Sequence, residues 1–294
     1  MTDRLDCAAI ATHAGLSSEQ LKALSVVAVE AARKGGSRLM EHFGKLTTIQ
    51  EKGRSGDMVT AADHAAEATV LEVLSRSTPD IAVLAEESGA SDHVADLCWC
   101  VDPLDGTTNF AHSYPLFATS IGLVWRNKPV LGAISVPFLK ELYWCCPGQG
   151  SFLNDKAIHV SDCSSLEDSL LVTGFAYDRR DVVDNNYAEF AWMTHRTRGV
   201  RRGGAAAVDL AFVAAGRLDG YWERGLAPWD LAAGAALVQL AGGAVGDYRG
   251  NGFNLGSGRI LAAGTELHKT LQKELGKVSP MPPQQYEGTL DVGS

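Results

Sequence analysis

No stretch of this chain stays apolar long enough to cross a membrane. Gly, Arg or Asp interrupts every run well short of the about 20 residues that a spanning helix needs. Runs of Lys and Arg are missing too. With a formal charge of −9 and a pI near 5.4, that absence argues against a nucleic-acid surface. The first twenty residues contain Asp3, Asp6 and Glu19 and no continuous apolar core, which predicts no secretory signal. The acidic start also argues against a transit peptide. Cysteines stand at 7, 98, 100, 145, 146 and 163 without zinc-ligand spacing, so buried reduced thiols in a cytoplasmic protein are expected. No internal repeat is present. Neither a membrane nor a nucleic acid is expected as a partner.

What remains is an ordinary soluble composition, 46% hydrophobic and 21% charged over 294 residues. That length suits one large domain or two intimately packed halves with a substantial core. An acidic protein that handles an anionic substrate needs local charge compensation, and a bound divalent metal would supply it.

The most informative segment is Asp102-Pro103-Leu104-Asp105-Gly106-Thr107-Thr108-Asn109-Phe110. The apolar, β-prone run Leu97–Val101 before it reads as a buried strand. Its two carboxylates therefore fall at the strand's carboxyl end, where open α/β folds build their sites. Gly106, Thr107 and Thr108 follow at the expected start of a helix, whose first amides lack intrahelical acceptors and suit an anion. Asp-Pro and Asp-Gly are also common turn dipeptides, and Thr or Asp before a helix is a common cap, so either half alone reads as a turn. Joined after a strand, the halves favour chemistry: a magnesium site for a phosphate.

Residues 1–16 read as a mobile or lightly docked N-terminal arm. A capping box at Ser17 and Gln20 opens a helix from Leu21 to Phe43, with Gly35 and Gly36 weakening it locally or allowing close packing. Residues 51–57 are glycine-rich and charged, hence a loop, and a second helix runs from after Thr60 to about Arg76. Strands are expected at 81–84, 97–101, 118–125, 130–138, 141–146, 170–174 and 218–222, with turns at Asn127-Lys128-Pro129 and Asn154-Asp155. Helices are expected at 188–195, 205–215 and 229–241, the last opened by Pro228 and stopped by Gly242-Gly243. The tail from 279 to 294 is proline- and polar-rich and reads as disordered. These elements predict an α/β, or layered α+β, domain over 17–278 with subdomains of about 17–150 and 151–278.

Further acids sit at element ends. Glu86 closes the 81–84 strand, Asp63 lies in the first turn of the second helix, and Asp230 lies in the first turn of the helix after Pro228. Carboxylates from separate elements suit Mg²⁺, which takes oxygen ligands and keeps some waters. First-turn acids more often complement a helix dipole, which is the competing reading for Asp63 and Asp230.

Glu86-Glu87-Ser88, the 102–110 block and Trp229-Asp230-Leu231-Ala232-Ala233-Gly234 together resemble the inositol monophosphatase family in order and spacing, over roughly residues 20 to 275. The block 200–209 with Tyr221-Trp222-Glu223 is most similar to its cyanobacterial and plastid branch. The resemblance implies an αβαβα sandwich, a homodimer, and magnesium-dependent, lithium-sensitive phosphatase activity. It implies two or three Mg²⁺ ions per subunit: Glu86, Asp102 and the Leu104 carbonyl holding the first, Asp102, Asp105 and Asp230 the second, and Glu86 supporting a weaker third through waters. Thr107 paired with Asp63 would orient the attacking water with help from Glu86, and Lys52 would sit near the metal and phosphate. Gly106, Thr107 and Thr108 would cradle the phosphate; Asp105, Glu223, Asp230 and the Gly204-Ala205-Ala206 backbone would bind the rest of the substrate. Two positions depart from the family pattern: Ala85 stands where many members carry glycine, and Ala205 where animal members carry threonine.

The expected function is Mg²⁺-dependent hydrolysis of a small phosphorylated polyol or sugar, first of all myo-inositol 1-phosphate, by attack of a metal-activated water. Alternatives are a sister activity on histidinol phosphate, a fructose bisphosphate or a nucleotide 3′-phosphate. Bisphosphates and nucleotides need extra basic or aromatic contacts, for which Arg179, Arg180, Arg201 and Arg202 are available. A non-catalytic sugar-phosphate-binding regulator would show a lost ligand or a lost Thr107–Asp63 pair, and neither is lost.

Overall fold

The computed structural model describes residues 5–45, 50–51, 58–90 and 95–281. Asp6 caps a first helix, α1 (Cys7–His13), by accepting the Ala9 amide at 3.0 Å. Part of the expected arm is therefore tied down: Cys7, Ile10 and Ala11 are buried, and the Cys7 amide donates to Gln239 Oε1 at 3.1 Å. An apolar face only two turns long is too short to stand out in a sequence, yet it suffices to dock a helix.

Ser17 opens α2 (Ser18–His42) with the reciprocal capping box expected of it. A small antiparallel pair, β1 (Gln50–Glu51) and β2 (Met58–Val59), precedes α3 (Ala61–Ser77), which Thr60 caps. The first sheet contains β3 (Ala82–Ala85), β4 (Gly89–Ala90) and β5 (Leu97–Asp105). After the short α4 (Thr107–Ala111) come β6 (Ala118–Trp125), β7 (Lys128–Val136), β8 (Glu141–Cys146), β9 (Gly150–Leu153) and β10 (Lys156–Ile158). Its strand order is β10-β9-β8-β7-β6-β5-β3-β4, antiparallel except where β3 meets β5. The β6–β7 hairpin turns at Arg126-Asn127, both at positive φ, one residue before the expected turn, so Lys128 and Pro129 belong to β7.

The chain then crosses to a second sheet of order β12-β11-β13-β15-β14. It is built from β11 (Leu170–Thr173), α5 (Tyr187–Arg196), β12 (Gly199–Arg201), α6 (Ala206–Ala214) and β13 (Gly220–Arg224). It continues through α7 (Pro228–Leu240), β14 (Ala244–Gly246), β15 (Arg259–Ala263) and α8 (Thr265–Leu275).

α2 and α3 cover the outer face of the first sheet, α6 and α7 lie between the sheets, and α5 and α8 cover the second. This is an αβαβα layering. A helix held between two sheets has little solvent face, which is why α6 and α7 are apolar apart from Asp209, Asp230 and Gln239. Their alanines allow tight approach. At Gly132, on β7, an added Cβ would lie 2.5 Å from the Ala233 Cα of α7, so strand and helix backbones are nearly in contact. On the other face, Gly35 and Gly36 let α2 sit against Thr119 and Ser135, the close packing that the sequence suggested. One apolar core runs from Ile121 and Ile134 through Leu210 and Leu237 to Tyr221 and Ile260, joining both sheets.

All six cysteines are free; Cys7, Cys100, Cys145 and Cys146 are buried. Among the described residues no helix is long and apolar enough to cross a membrane. Of the expected tail, Met281 accepts a hydrogen bond from Asn185 Nδ2 at 3.1 Å, and 282–294 lie outside the described residues.

Candidate active site

A cleft of about 270 Å³ opens where β5 and β13 end and α4, α6 and α7 begin. Of the residues singled out from the sequence, Glu86, Asp102, Leu104, Asp105, Gly106, Thr107, Thr108, Gly204, Ala205, Ala206, Glu223 and Asp230 all line it. Asp63 stands behind the wall, fully buried. Lys52 lies outside the described residues.

β5 continues through Pro103 to Asp105, past its expected end at Val101, with its pairing to β6 shifted between Asp102 and Asp105. The irregularity turns Asp102 back on its own chain: its Oδ1 accepts the Leu104 amide at 3.0 Å. Asp102 also hydrogen-bonds Glu86 side chain to side chain. Gly106 takes φ +88°, and a Cβ there would press on Ala205 Cβ at 3.0 Å and the Leu116 carbonyl at 3.1 Å. That turn delivers Thr107 and Thr108 to the first turn of α4, whose opening amides have no acceptor within the helix.

Asp105 does something the sequence did not disclose. Its Oδ1 accepts the Ala206 amide at 2.9 Å, and its Oδ2 accepts Ala207 at 2.8 Å and Val208 at 3.3 Å. It is the cap of α6, supplied from the other half of the chain, where the in-line cap position is Ala205 and offers no side-chain acceptor. The Ala206 amide, expected to face substrate, is therefore engaged by Asp105.

Thr107 Oγ1 lies 3.2 Å from Asp63 Oδ1, while Asp63 Oδ2 accepts from Thr60 N at 2.8 Å and Thr60 Oγ1 at 2.7 Å. Asp63 is thus both the capping acid of α3 and the partner of Thr107. Asp230 accepts the Ala227 amide at 2.7 Å at the start of α7. Glu223 lies within β13, not beyond a strand ending at Trp222 as expected, and accepts from the buried Tyr221 hydroxyl at 2.6 Å.

The electrostatics are one-sided. Burial first, then Glu86, Asp105 and Asp230, raise the Asp102 carboxyl well above its ordinary range. Burial followed by Asp105 and Glu86 does the same to Asp230. Asp105 is pushed up to about 7 by burial, against the three α6 amides that favour its charged form. Glu223 is also pushed up to about 7 by burial, with the Tyr221 hydroxyl and Arg202 opposing the rise. Acids that crowd and raise one another need external positive charge. Four carboxylates, the Leu104 carbonyl and a phosphate-sized space form an oxygen-only donor set, which fits a hard divalent cation. Among the described residues no three His, Cys, Asp or Glu side chains already form a closed metal cage. The donors instead line an open cleft with room for water and substrate.

The inositol monophosphatase family model matches residues 20–279. This chain belongs to the inositol monophosphatase family. The inositol-1-monophosphatase of Synechocystis is 50% identical over 271 residues, covering 92% of this chain and 94% of that protein. The Nus factor SuhB of Pseudomonas aeruginosa is 41% identical, covering 83% of this chain and 93% of its own. The solved inositol monophosphatase of Anabaena superposes with a TM-score of 0.82 at 47% identity, over 89% of this chain and 98% of that one. As a member of the family the chain is a phosphoric monoester hydrolase with the layered α/β fold of these relatives.

In this family member the cleft also contains residues that the motifs did not point to. Gly174, Phe175, Ala176 and Tyr177 form one wall, and Gly225, Leu226 and Ala227, which lead into the Trp229-Asp230 motif, form another. Of the four arginines available for extra anionic contacts, Arg202 alone lines the cleft. No local pattern marks the 174–177 wall. It reaches the cleft because β11 pairs with β13 and ends beside Glu223.

Proposed function

We propose that the chain hydrolyses myo-inositol 1-phosphate with two or three Mg²⁺ ions per subunit. The observation that carries this reading is the convergence of Glu86, Asp102, Leu104, Asp105 and Asp230 on one cleft, with the Thr107–Asp63 pair behind it. The similarity to the Synechocystis inositol-1-monophosphatase and the Anabaena inositol monophosphatase supports the substrate.

Glu86, Asp102 and the Leu104 carbonyl would hold one ion, and Asp102, Asp105 and Asp230 another. Bound there, Mg²⁺ supplies Lewis acidity: it lowers the pKa of the attacking water and stabilises charge on the leaving oxygen. The chain's own groups do the rest. Thr107 donates its hydroxyl proton towards Asp63, which leaves the Thr107 oxygen free to accept from a water aimed at phosphorus. Asp63 is fixed by Thr60 and cannot turn away. The first amides of α4 hold the phosphate oxygens without moving during reaction. Glu223, oriented by Tyr221, accepts hydrogen bonds from the polyol hydroxyls and fixes the leaving group. Lys52 is assigned to the phosphate side of the same site.

A homodimer, lithium sensitivity and a cytoplasmic location complete the proposal. The test is a phosphatase screen with Mg²⁺ across myo-inositol 1-phosphate, histidinol phosphate, fructose 1,6-bisphosphate and a nucleotide 3′-phosphate. The highest kcat/KM is expected for myo-inositol 1-phosphate. Preference for any of the others overturns the substrate, and turnover undiminished by a chelator overturns the metal.

A further inference from the structure

The parallel pairing of β11 with β13 sets Thr173 beside Trp222, so the next residue of each segment, Gly174 and Glu223, come side by side, and both line the cleft. Neighbours in register on paired strands point their side chains to the same face. Gly174 has no side chain to point, and the Glu223 carboxyl group takes the space. A Cβ added at Gly174 would overlap the Glu223 carboxyl carbon and both of its oxygens. On its other side Glu223 Oε2 accepts from the Tyr221 hydroxyl at 2.6 Å. The carboxyl group is thus lodged between a tyrosine hydroxyl and a bare stretch of backbone.

That backbone is pinned. Asn186, only 2% exposed, donates from Nδ2 to the Gly174 carbonyl at 2.7 Å and to Thr173 Oγ1 at 2.8 Å. Its Oδ1 accepts from Trp222 Nε1 at 2.7 Å, and Thr173 Oγ1 donates to the Trp222 carbonyl. One buried amide, with both of its protons placed, therefore ties the two strands together at the step before Gly174 and Glu223. Gly174 is not among the glycines at positive φ, so its own backbone conformation does not call for glycine. The space does. A side chain added at 174 would be accommodated by the carboxyl group, the free end of a flexible side chain, and not by the backbone.

We propose that Gly174 is a specificity-determining residue: the space where its side chain would stand seats the Glu223 carboxyl group and sets the reach of that group to the hydroxyls of the leaving group. The effect is steric and holds whether or not Glu223 carries a proton. It serves phosphate esters whose leaving group bears hydroxyls, and it does nothing for esters whose leaving group has none. The inference deepens the proposed function and rests on its assignment of Glu223 to the polyol side of the cleft.

The experiment measures kcat/KM for myo-inositol 1-phosphate and for 4-nitrophenyl phosphate, whose leaving group has no further hydroxyl. It uses the Mg²⁺-loaded full chain and its Gly174→Ala, Glu223→Ala and double variants. Gly174→Ala is expected to lower the inositol-to-aryl ratio about tenfold, mainly through KM for the inositol ester, the size of one displaced hydrogen bond. Glu223→Ala should lower the ratio at least as far. Adding Gly174→Ala to it should change nothing more, because no carboxyl group is left to displace. A wild-type ratio in Gly174→Ala overturns the proposal. So does a loss that recurs in full on top of Glu223→Ala, since the added methyl group would then merely crowd the cleft. Should Gly174→Ala fail to fold, the double variant is expected to fold, the clash being gone, and a double variant that also fails overturns the proposal. A ratio unchanged by Glu223→Ala is the separate failure of the Glu223 assignment, and the proposal falls with it. If the wild type favours the monophosphate of another polyol, only the named substrate fails, and the ratio taken with that ester still decides the role of Gly174.

Discussion

Thr107 Oγ1 lies 3.2 Å from Asp63 Oδ1 and 3.0 Å from the Leu104 carbonyl oxygen. A hydroxyl carries one proton and donates it to one acceptor at a time. When Asp63 receives it, the Leu104 carbonyl keeps its lone pairs for a cation in the cleft, and the Thr107 oxygen keeps its own for a water. Competition between the two acceptors links the proposed nucleophile site to the proposed metal site through one side chain.

Thr107→Ala is therefore expected to lower kcat about 10²–10⁴-fold, the usual cost of removing a positioned proton relay, with KM little changed. Thr107→Ser restores the hydroxyl and should recover much of the rate. Steady-state kinetics and melting temperature on the same preparations check this. Near-normal turnover with a lowered melting point would reduce Thr107 to a packing and capping residue, worth about 1 kcal/mol.

Asp102→Asn removes the acid proposed to touch two ions. Activity should become undetectable at Mg²⁺ concentrations that saturate the wild type, while the metal-free variant should melt no lower than the wild type. The second expectation follows from the raised Asp102 pKa: its charge is a burden on the fold when no cation is present. A variant that retains wild-type turnover would remove Asp102 from the metal site.

Glu223 gives a pH dependence with a definite sign. Its carboxyl is raised from 4.5 to about 7 in the folded chain, chiefly by burial. The fold therefore favours the protonated form. This contribution to stability is fully present below the ordinary glutamate range and is lost as pH rises through about 7. In metal-free protein, Glu223→Gln should be more stable than the wild type at pH about 8, by up to about 3 kcal/mol, with the gap closing towards pH about 4. Denaturant midpoints measured across that range check the sign. The same variant should discriminate less well between myo-inositol 1-phosphate and an aryl phosphate, because a carboxylate that accepts polyol hydroxyls can no longer reward the correct substrate. An equal loss on both substrates would end the selection role.

Arg224 joins the 174–177 wall to the strand that carries Glu223. Its Nη1 and Nη2 donate to Asp178 Oδ1 at 2.8 and 2.7 Å, and Nη2 also reaches Asp178 Oδ2 at 2.7 Å. A few residues on, Arg249 and Arg259 grip Asp184. The loop between β11 and α5 is thus clasped at two points to β13 and the segments beside it. Arg224→Ala should cost about 1–3 kcal/mol of stability and raise KM severalfold with a smaller effect on kcat. Arg224→Lys should recover little, since an ammonium cannot reproduce the forked contact. Unchanged KM in a folded Arg224→Ala variant would show that the wall does not shape substrate binding.

The sequence by itself determined whatever depends on neighbours within a few residues. Capping boxes at Ser17 and Thr60, the β5 run into Asp102-Pro103, the glycine turn at Gly106 and the proline start of α7 are all written in local hydrogen bonding and periodicity, and they placed the acids at element ends. Tertiary structure decided what those acids touch. That Asp105 caps α6 from 101 residues away has no local signature, because Ala205 and Ala206 look like any start of an alanine-rich helix. The docking of α1 and the approach of Phe175 and Tyr177 to the cleft depend likewise on which strands pair and how closely helices approach. Hydrophobic periodicity tells which face of an element is buried, whereas the partner that buries it is settled only when the layers come together.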